Sequence, residues 1–238
     1  MSDTTTPDVA QSSFGTAIGF RFPERNRNVG ASGNAGRAIK RGFDIVGSLT
    51  LIAVLLPVLP VLALIVRKDG GPALYRHPRV GRDGRIFGCL KYRSMATSAD
   101  EILRLHLQSD PRAADQWAAS RKLTNDPRIT RFGALLRKTS LDEVPQLFNV
   151  LRGDMSLVGP RPAVQEELDQ HYGTVGREAY ASAKPGITGL WQVSGRSDTS
   201  YEQRVALDIA YARDWSLSMD LKILLRTVPA VLNRRGAV

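Results

Sequence analysis

Two adjacent acids, Asp142 and Glu143, lie inside LLRKTSLDEVPQLFNVLRGDMSLVGPRP, positions 135–162. The pair admits two roles. The first is helix capping, because Ser140 and Glu143 fit the S-x-x-E box and acids favour a first helical turn. Against it, a helix capped by Ser140 puts Pro145 at its fifth position, where the missing N–H breaks a bond. A start nearer Asp142 suits Pro145 better, and leaves Asp142 at the mouth of the helix, where free N–H groups favour an ionised carboxylate. Spacing alone favours capping. Cations crowd the same region: Lys91 and Arg93 in KYRSM, Arg128 and Arg131 in DPRITRFG, Arg137 and Lys138, and Arg161 in GPRP. Pro160 and Pro162 stiffen the chain beside Arg161, holding a planar guanidinium for two-pronged phosphate binding. Any one of these cations alone is an ordinary surface charge. Gathered in Gly- and Pro-rich loops beside an acid pair, they point to an anion site.

The elements that must position these residues begin with IVGSLTLIAVLLPVLPVLALIV, Ile45 to Val66, 22 residues without a charge. A helix of that length runs roughly 33 Å, enough to enter or cross a bilayer. A buried helix of a soluble core is the alternative, but such helices rarely lack a polar stripe for so long. Pro57 has no N–H for the carbonyl of Ala53, and Pro60 none for Leu56, so a bend is expected there. Basic residues flank both ends: Arg37, Lys40 and Arg41 before, Arg67 and Lys68 after. A single span would leave one cluster outside, against the positive-inside tendency. A helix broken at the prolines, entering and leaving by the cytoplasmic face, keeps both inside. A simple span is the competing expectation.

Three regions follow. Residues 1–36 are rich in Ser, Thr, Gly and Asn and read as a mobile tail, without the apolar core of a signal peptide. Residues 37–69 hold the membrane helix with its basic flanks, and 70–238 the remaining domain. There, Leu74–Tyr75 and Ile86–Tyr92 read as short strands about the turn RVGRDGR. Helices are expected near 98–109, 133–138, 143–152, 163–171, 199–214 and 218–234. The fold class is therefore α+β, mostly helical with minor short strands, and the alternating series of long strands and helices that a doubly wound sheet needs is not found. The last helix mixes apolar residues with Lys222, Arg226, Arg234 and Arg235. Either the headgroup layer or its own domain explains that pattern.

Composition bounds the partners. The 238 residues are 42% hydrophobic and 24% charged, enough for a folded core. Lys and Arg number 33 against 23 Asp and Glu, a formal charge of +10, which favours polyanionic partners such as nucleic acid, anionic lipid or phosphorylated small molecules. The single cysteine, Cys89, excludes an intramolecular disulfide and fits a reducing compartment. His77, His106 and His171 are scattered, and no Cys/His spacing suggests zinc.

Five stretches together resemble the bacterial sugar transferase family, the monotopic phosphoglycosyl transferases: KRGFDIV (40–46), RVGRDGRIFGCLKYRSM (79–95), ITRFGALLRKTSLDEVPQLFNVLRGDMSLVGPRP (129–162), KPGITGLWQVSGRS (184–197) and LDIAYARDWSLSMDLKILLRT (207–227). They keep the family's order and cover nearly all of the chain beyond the tail. The resemblance implies a re-entrant membrane helix and an interfacial catalytic domain on the cytoplasmic face of the inner membrane. It places the catalytic dyad on Asp142 and Glu143, with Asp142 the nucleophile toward a UDP-sugar. UMP leaves, and undecaprenyl phosphate then takes the phosphosugar from Asp142. Mg²⁺ is implied, with Glu143 near it. Lys91, Arg93, Arg128, Arg137, Arg161 and Arg196 are the candidates for substrate phosphate, and Pro57 and Pro60 mark the expected helix break. Partners are then the donor, the carrier and membrane lipids, and no nucleic acid.

Two departures stand out. Leu56-Pro57 replaces the Ser-Pro often found at the helix break, so a hydroxyl that could satisfy a freed carbonyl is missing. The several-helix membrane region of larger relatives is also lacking, which likens the chain to minimal exopolysaccharide-type enzymes and weakly favours glucose or galactose over an N-acetylated sugar. A basic nucleic-acid-binding protein fits the charge but not the uncharged segment. A membrane-attached scaffold of polysaccharide export fits the segment and the charge, yet leaves the dyad and GPRP unexplained. The identity of the sugar and the oligomeric state are not legible.

Overall fold

The computed structural model describes residues 34–120, 122–194 and 200–232, so most of the expected tail, and Arg196, lie outside the described residues. The chain opens with helix α1 (Asn34–Leu55), which already includes the last three positions assigned to the tail, and continues as α2 (Val58–Val66). The two are bent by 70° across Leu56 and Pro57. The cause is local: Pro57 has no N–H to give Ala53, whose carbonyl accepts instead from Leu56 N at 3.4 Å. Pro60 does not share in the break. It sits in the first turn of α2, where backbone N–H groups have no intrahelical partner anyway, so the expected bend there is corrected to Leu56–Pro57 alone. Among the described residues no single helix is long and apolar enough to cross a membrane, but the bent pair passes that test together. Val46, Leu49, Val54, Leu56, Val61 and Leu64 stand exposed along it.

The start of α1 is fastened by polar contacts. Lys40 Nζ donates to Asp220 at 2.6 Å and to the Val158 carbonyl at 3.1 Å. Arg41 donates to the carbonyls of Val150 and Leu151, both at 2.6 Å. Buried Asp44 accepts from Ser156 Oγ and Leu157 N. A charged helix start held in this way fixes where the apolar half leaves the domain.

Strands β1 (Leu74–Val80) and β2 (Ile86–Tyr92) pair antiparallel, with Tyr75 opposite Lys91 and Val80 opposite Ile86. The first strand is longer than the two residues expected, running through Pro78 to the turn. Helices α3 (Ala99–Ser109), α4 (Pro111–Ser120), α5 (Arg131–Thr139) and α6 (Gln146–Arg152) follow. Then come β3 (Ser156–Val158), α7 (Gln165–His171), α8 (Gly173–Ser182), β4 (Gly186–Thr188) and α9 (Leu190–Val193). Helices α10 (Tyr201–Asp214) and α11 (Leu217–Leu232) complete the order. The fold is mostly helical α+β, as expected. Helices α4, α8 and α9, and the parallel pair β3–β4, were not legible.

The main core gathers Leu147, Val150, Met155, Val158, Leu190 and Ile223. A smaller one joins Leu62 and Val66 of α2 to Tyr92 and Leu136, with Tyr92 Oη donating to the Leu59 carbonyl at 2.8 Å. Thus α2 returns to the domain. Helix α11 packs against its own domain, with Met219 and Ile223 buried in the core, while Leu221, Leu225 and Val228 stay exposed.

Candidate functional site

Helix α5 ends at Ser140, which takes a left-handed conformation at φ 57°. A tight turn, Leu141–Glu143, comes next, and α6 becomes regular only at Gln146, with Pro145 as its N-cap. The capping box is therefore not formed, and Ser140 makes no side-chain cap. It closes the preceding helix instead. At the N-cap the missing N–H of Pro145 is harmless. The turn buries Asp142, 8% exposed as a residue, and leaves the Glu143 side chain 32% exposed.

Lys91 reaches the pair from β2. Its Nζ lies 2.6 Å from Glu143 Oε1 and 3.9 Å from Asp142 Oδ2. The strand is held in place by fully buried Asn149 of α6. Asn149 Oδ1 accepts from Leu90 N at 2.9 Å, and Nδ2 donates to the Gly88 carbonyl at 2.9 Å. Arg137 is placed by a bond from Nε to Ser94 Oγ at 2.9 Å.

The strand pair β3–β4 sets the loop that carries Arg161. Gly159 N donates to the Thr188 carbonyl and Gly186 N to that of Pro160, and a Cβ on Gly159 would lie 2.2 Å from the Lys184 carbonyl. Only glycine permits that approach. The Arg161 guanidinium then lies 5.5 Å from the centroid of the Trp191 ring.

The two acids sit in different electrostatic surroundings. Burial pushes Asp142 up to about 6, with Lys91 opposing and Glu143 adding to the rise. Burial also works to raise Glu143, but Lys91, Arg161 and Arg79 together hold it below the usual carboxylate value. Glu143 is thus the settled anion, and Asp142 the one whose charge is least stabilised. Such a carboxylate, walled by cations, is suited to attack an electrophile whose charge those cations neutralise.

Lys91, Arg137 and Arg161 therefore act on the acid pair, whereas Arg93 and Arg128 are engaged elsewhere. Arg93 pairs with Asp69 and donates to the carbonyls of Val66, Pro72 and Met95, tying the end of α2 to the domain. Arg128 is taken by Asp126 at 2.6 Å and lies 4.9 Å from the Trp117 ring. Sequence reasoning missed Arg79, Glu167, Tyr201, Arg204 and Asp208. Arg79 donates to the Pro162 carbonyl and lies 4.0 Å from Glu167, which also receives Arg204 and the Tyr201 hydroxyl.

Among the described residues no group of three or more His, Cys, Asp or Glu side chains stands ready to hold a metal ion. The adjacent carboxylates still match Mg²⁺, which is commonly held by one or two carboxylates while substrate phosphates and water complete its shell.

A model of the bacterial sugar transferase family matches residues 35–234. The chain is 51% identical over 228 residues to the UDP-galactose-lipid carrier transferase of Erwinia amylovora, covering 94% of this chain and 47% of that protein. It is 52% identical over 201 residues to the undecaprenyl-phosphate galactose phosphotransferase of Salmonella typhimurium, covering 84% of this chain and 42% of that one. With the exopolysaccharide production protein ExoY of Rhizobium meliloti the identity is 45% over 219 residues, covering 92% and 95%. The chain thus spans less than half the length of the first two relatives and nearly all of the third.

Proposed function

The chain belongs to the bacterial sugar transferase family, and on that footing we propose that it transfers a hexose-1-phosphate from a UDP-sugar to undecaprenyl phosphate, opening exopolysaccharide repeat-unit synthesis. The observation that carries this is Asp142: a buried carboxylate pushed up to about 6, beside an ionised Glu143 and a Lys91 shared by both.

An oxygen of Asp142 attacks the sugar-bearing phosphorus. As that bond forms, the bond from phosphorus to the bridging oxygen breaks, and its electron pair leaves with UMP. A phosphate oxygen of the carrier then attacks the same phosphorus and the Asp142 carboxylate departs unchanged. Two displacements let donor and carrier use one site in turn. Lys91, Arg137 and Arg161 offset the charge that would repel an incoming carboxylate. Glu143 would hold Mg²⁺, which when bound lowers the negative charge of the diphosphate. Glucose or galactose is the sugar, and galactose, named in two of the relatives above, is the first donor to try.

The bent pair α1–α2 is the membrane part within residues 37–69, re-entering the cytoplasmic leaflet, while 70–238 forms the catalytic domain at the cytoplasmic surface. Its exposed apolar residues and anchored polar start support that placement.

The test is covalent labelling. Wild-type protein given a UDP-hexose labelled in its sugar, without carrier, should retain label through denaturation and release UMP; Asp142→Asn should do neither. Retention of label by the Asn variant at the wild-type rate would overturn the assignment.

A further inference from the structure

Helix α10 buries an arginine whose bonding is incomplete. The Arg204 side chain is 8% exposed, and its Nη1 donates to Glu167. The guanidinium lies 4.8 Å from the centroid of the Trp191 ring and 5.3 Å from that of Tyr201. Tyr201 is itself fixed, its hydroxyl donating to Glu167 Oε1 at 2.6 Å and its ring stacked 3.9 Å from His171. The position of Arg204 is thus fully determined, yet Nε and Nη2 are buried without a hydrogen-bond partner. Those two N–H bonds run parallel along one edge of the guanidinium, the edge that takes an oxyanion with two prongs. Holding such an edge dry is unfavourable, and neither the pairing with Glu167 nor the ring contacts require it.

The surroundings say which ligand suits it. Arg161 lies over the same Trp191 ring, and its charge acts on both Glu143 and Glu167, so the free edge belongs to the cation group that begins at the acid pair. A sugar hydroxyl would ask for acceptors as well as donors. The edge of Arg204 has only donors, and Glu167 Oε1 already receives both Arg204 and Tyr201. Two neighbouring phosphate oxygens match it.

We propose that the free edge of Arg204 binds the phosphate of the departing nucleoside monophosphate. This rests on the transferase reading above. When Asp142 bonds to the sugar-bearing phosphorus, the electron pair of the broken bond comes to rest on the bridging oxygen. The leaving phosphate thereby gains a negative charge, and two parallel donors already in place stabilise it as it develops. The carrier phosphate, which attacks from the side the nucleotide has left, then meets the same edge in the second displacement.

The test separates the two half-reactions of the full-length protein in detergent, with Arg204→Lys, which keeps the charge and the partner for Glu167 but loses the planar fork. Formation of the labelled intermediate from UDP-galactose should slow on the order of 100-fold, the lower end for loss of one charge-stabilising donor. Transfer from preformed intermediate to undecaprenyl phosphate should slow as well, because the carrier phosphate enters where the nucleotide phosphate left. Binding of UMP and of uridine, followed by tryptophan fluorescence, supplies a readout without turnover: the preference for UMP in wild type should collapse in the variant. An unchanged rate of intermediate formation, or an undiminished preference for UMP over uridine, overturns the proposal. Arg204→Gln, given the same measurements, replaces the Lys variant if that one does not fold. Should wild type form no labelled intermediate while the UMP preference still depends on Arg204, the phosphate contact stands and the covalent route fails.

Discussion

Asn149→Leu isolates the contact that sets Lys91 in place. Asn149 is fully buried, and its side chain satisfies two backbone groups on the open edge of β2: Leu90 N, 2.9 Å from Oδ1, and the Gly88 carbonyl, 2.9 Å from Nδ2. Leucine has nearly the same size but neither donor nor acceptor, so both groups would be left unpaired in the interior. Each such loss costs about 1–3 kcal/mol, together about 2–6 kcal/mol. The added apolar surface returns part of this, on the order of 1–2 kcal/mol, leaving a net loss of roughly 1–4 kcal/mol. For a chain of this size the melting temperature should fall by about 2–16 °C. The loss also has a functional side. With Leu90 released, β2 no longer holds Lys91 at 2.6 Å from Glu143, so intermediate formation should slow even where the variant remains folded. Asn149→Asp sharpens the comparison, since it keeps an acceptor for Leu90 but turns a carboxylate oxygen toward the Gly88 carbonyl and Asp154. It should be no more stable than the leucine variant. Differential scanning fluorimetry in detergent, followed by rapid-quench labelling below the transition, measures both effects. A melting temperature within about 1 °C of wild type, with labelling unchanged, would refute the account of what holds the strand.

Gly159→Ala should prevent stable folding, because its Cβ would lie 2.2 Å from the Lys184 carbonyl with backbone on both sides; a wild-type melting temperature would contradict that. Burial pushes Asp208 up to about 7, so its contribution favours folding at low pH and falls away as pH rises from the ordinary carboxylate value through about 7. In Asp208→Asn, which keeps an acceptor for the Tyr172 hydroxyl, the loss of stability between about pH 5 and pH 8 should shrink, and an identical decline in both proteins would show that Asp208 does not titrate there. Single cysteines at Asn34 and at the exposed Lys68, with Cys89 left buried and its thiol pushed by burial to about 11, should resist an impermeant thiol reagent until the cytoplasmic membrane is opened. Labelling of one position in intact cells would establish a single span.

Local chemistry was legible, and long-range partnership was not. The uncharged run from Ile45 to Val66 and the Pro57 break depend on consecutive residues, so both could be read directly. Ser140 shows the limit even at short range: S-x-x-E describes a helix start, but the same serine in a left-handed conformation ends the helix before it. Pro60 shows it again, because a proline breaks a helix or sits freely in its first turn depending on where that helix begins. Among the arginines the limit is sharper. Arg93, Arg128 and Arg161 look alike in sequence, each basic and in or beside a loop. What separates them is the partner: Asp69, 24 residues from Arg93, and Asp126, two residues from Arg128, pair with those guanidinium groups. Arg204 was hidden for the converse reason. With Asp208 four residues on, it has the spacing of an exposed helical ion pair. Yet α10 buries both side chains, and the acid that meets Arg204 is Glu167, 37 residues away. A charge pattern along a chain records which groups are present. Which cations remain available to a substrate depends on the acids that folding has already brought to the others, and at this site the available edge belongs to the arginine that the pattern made least conspicuous.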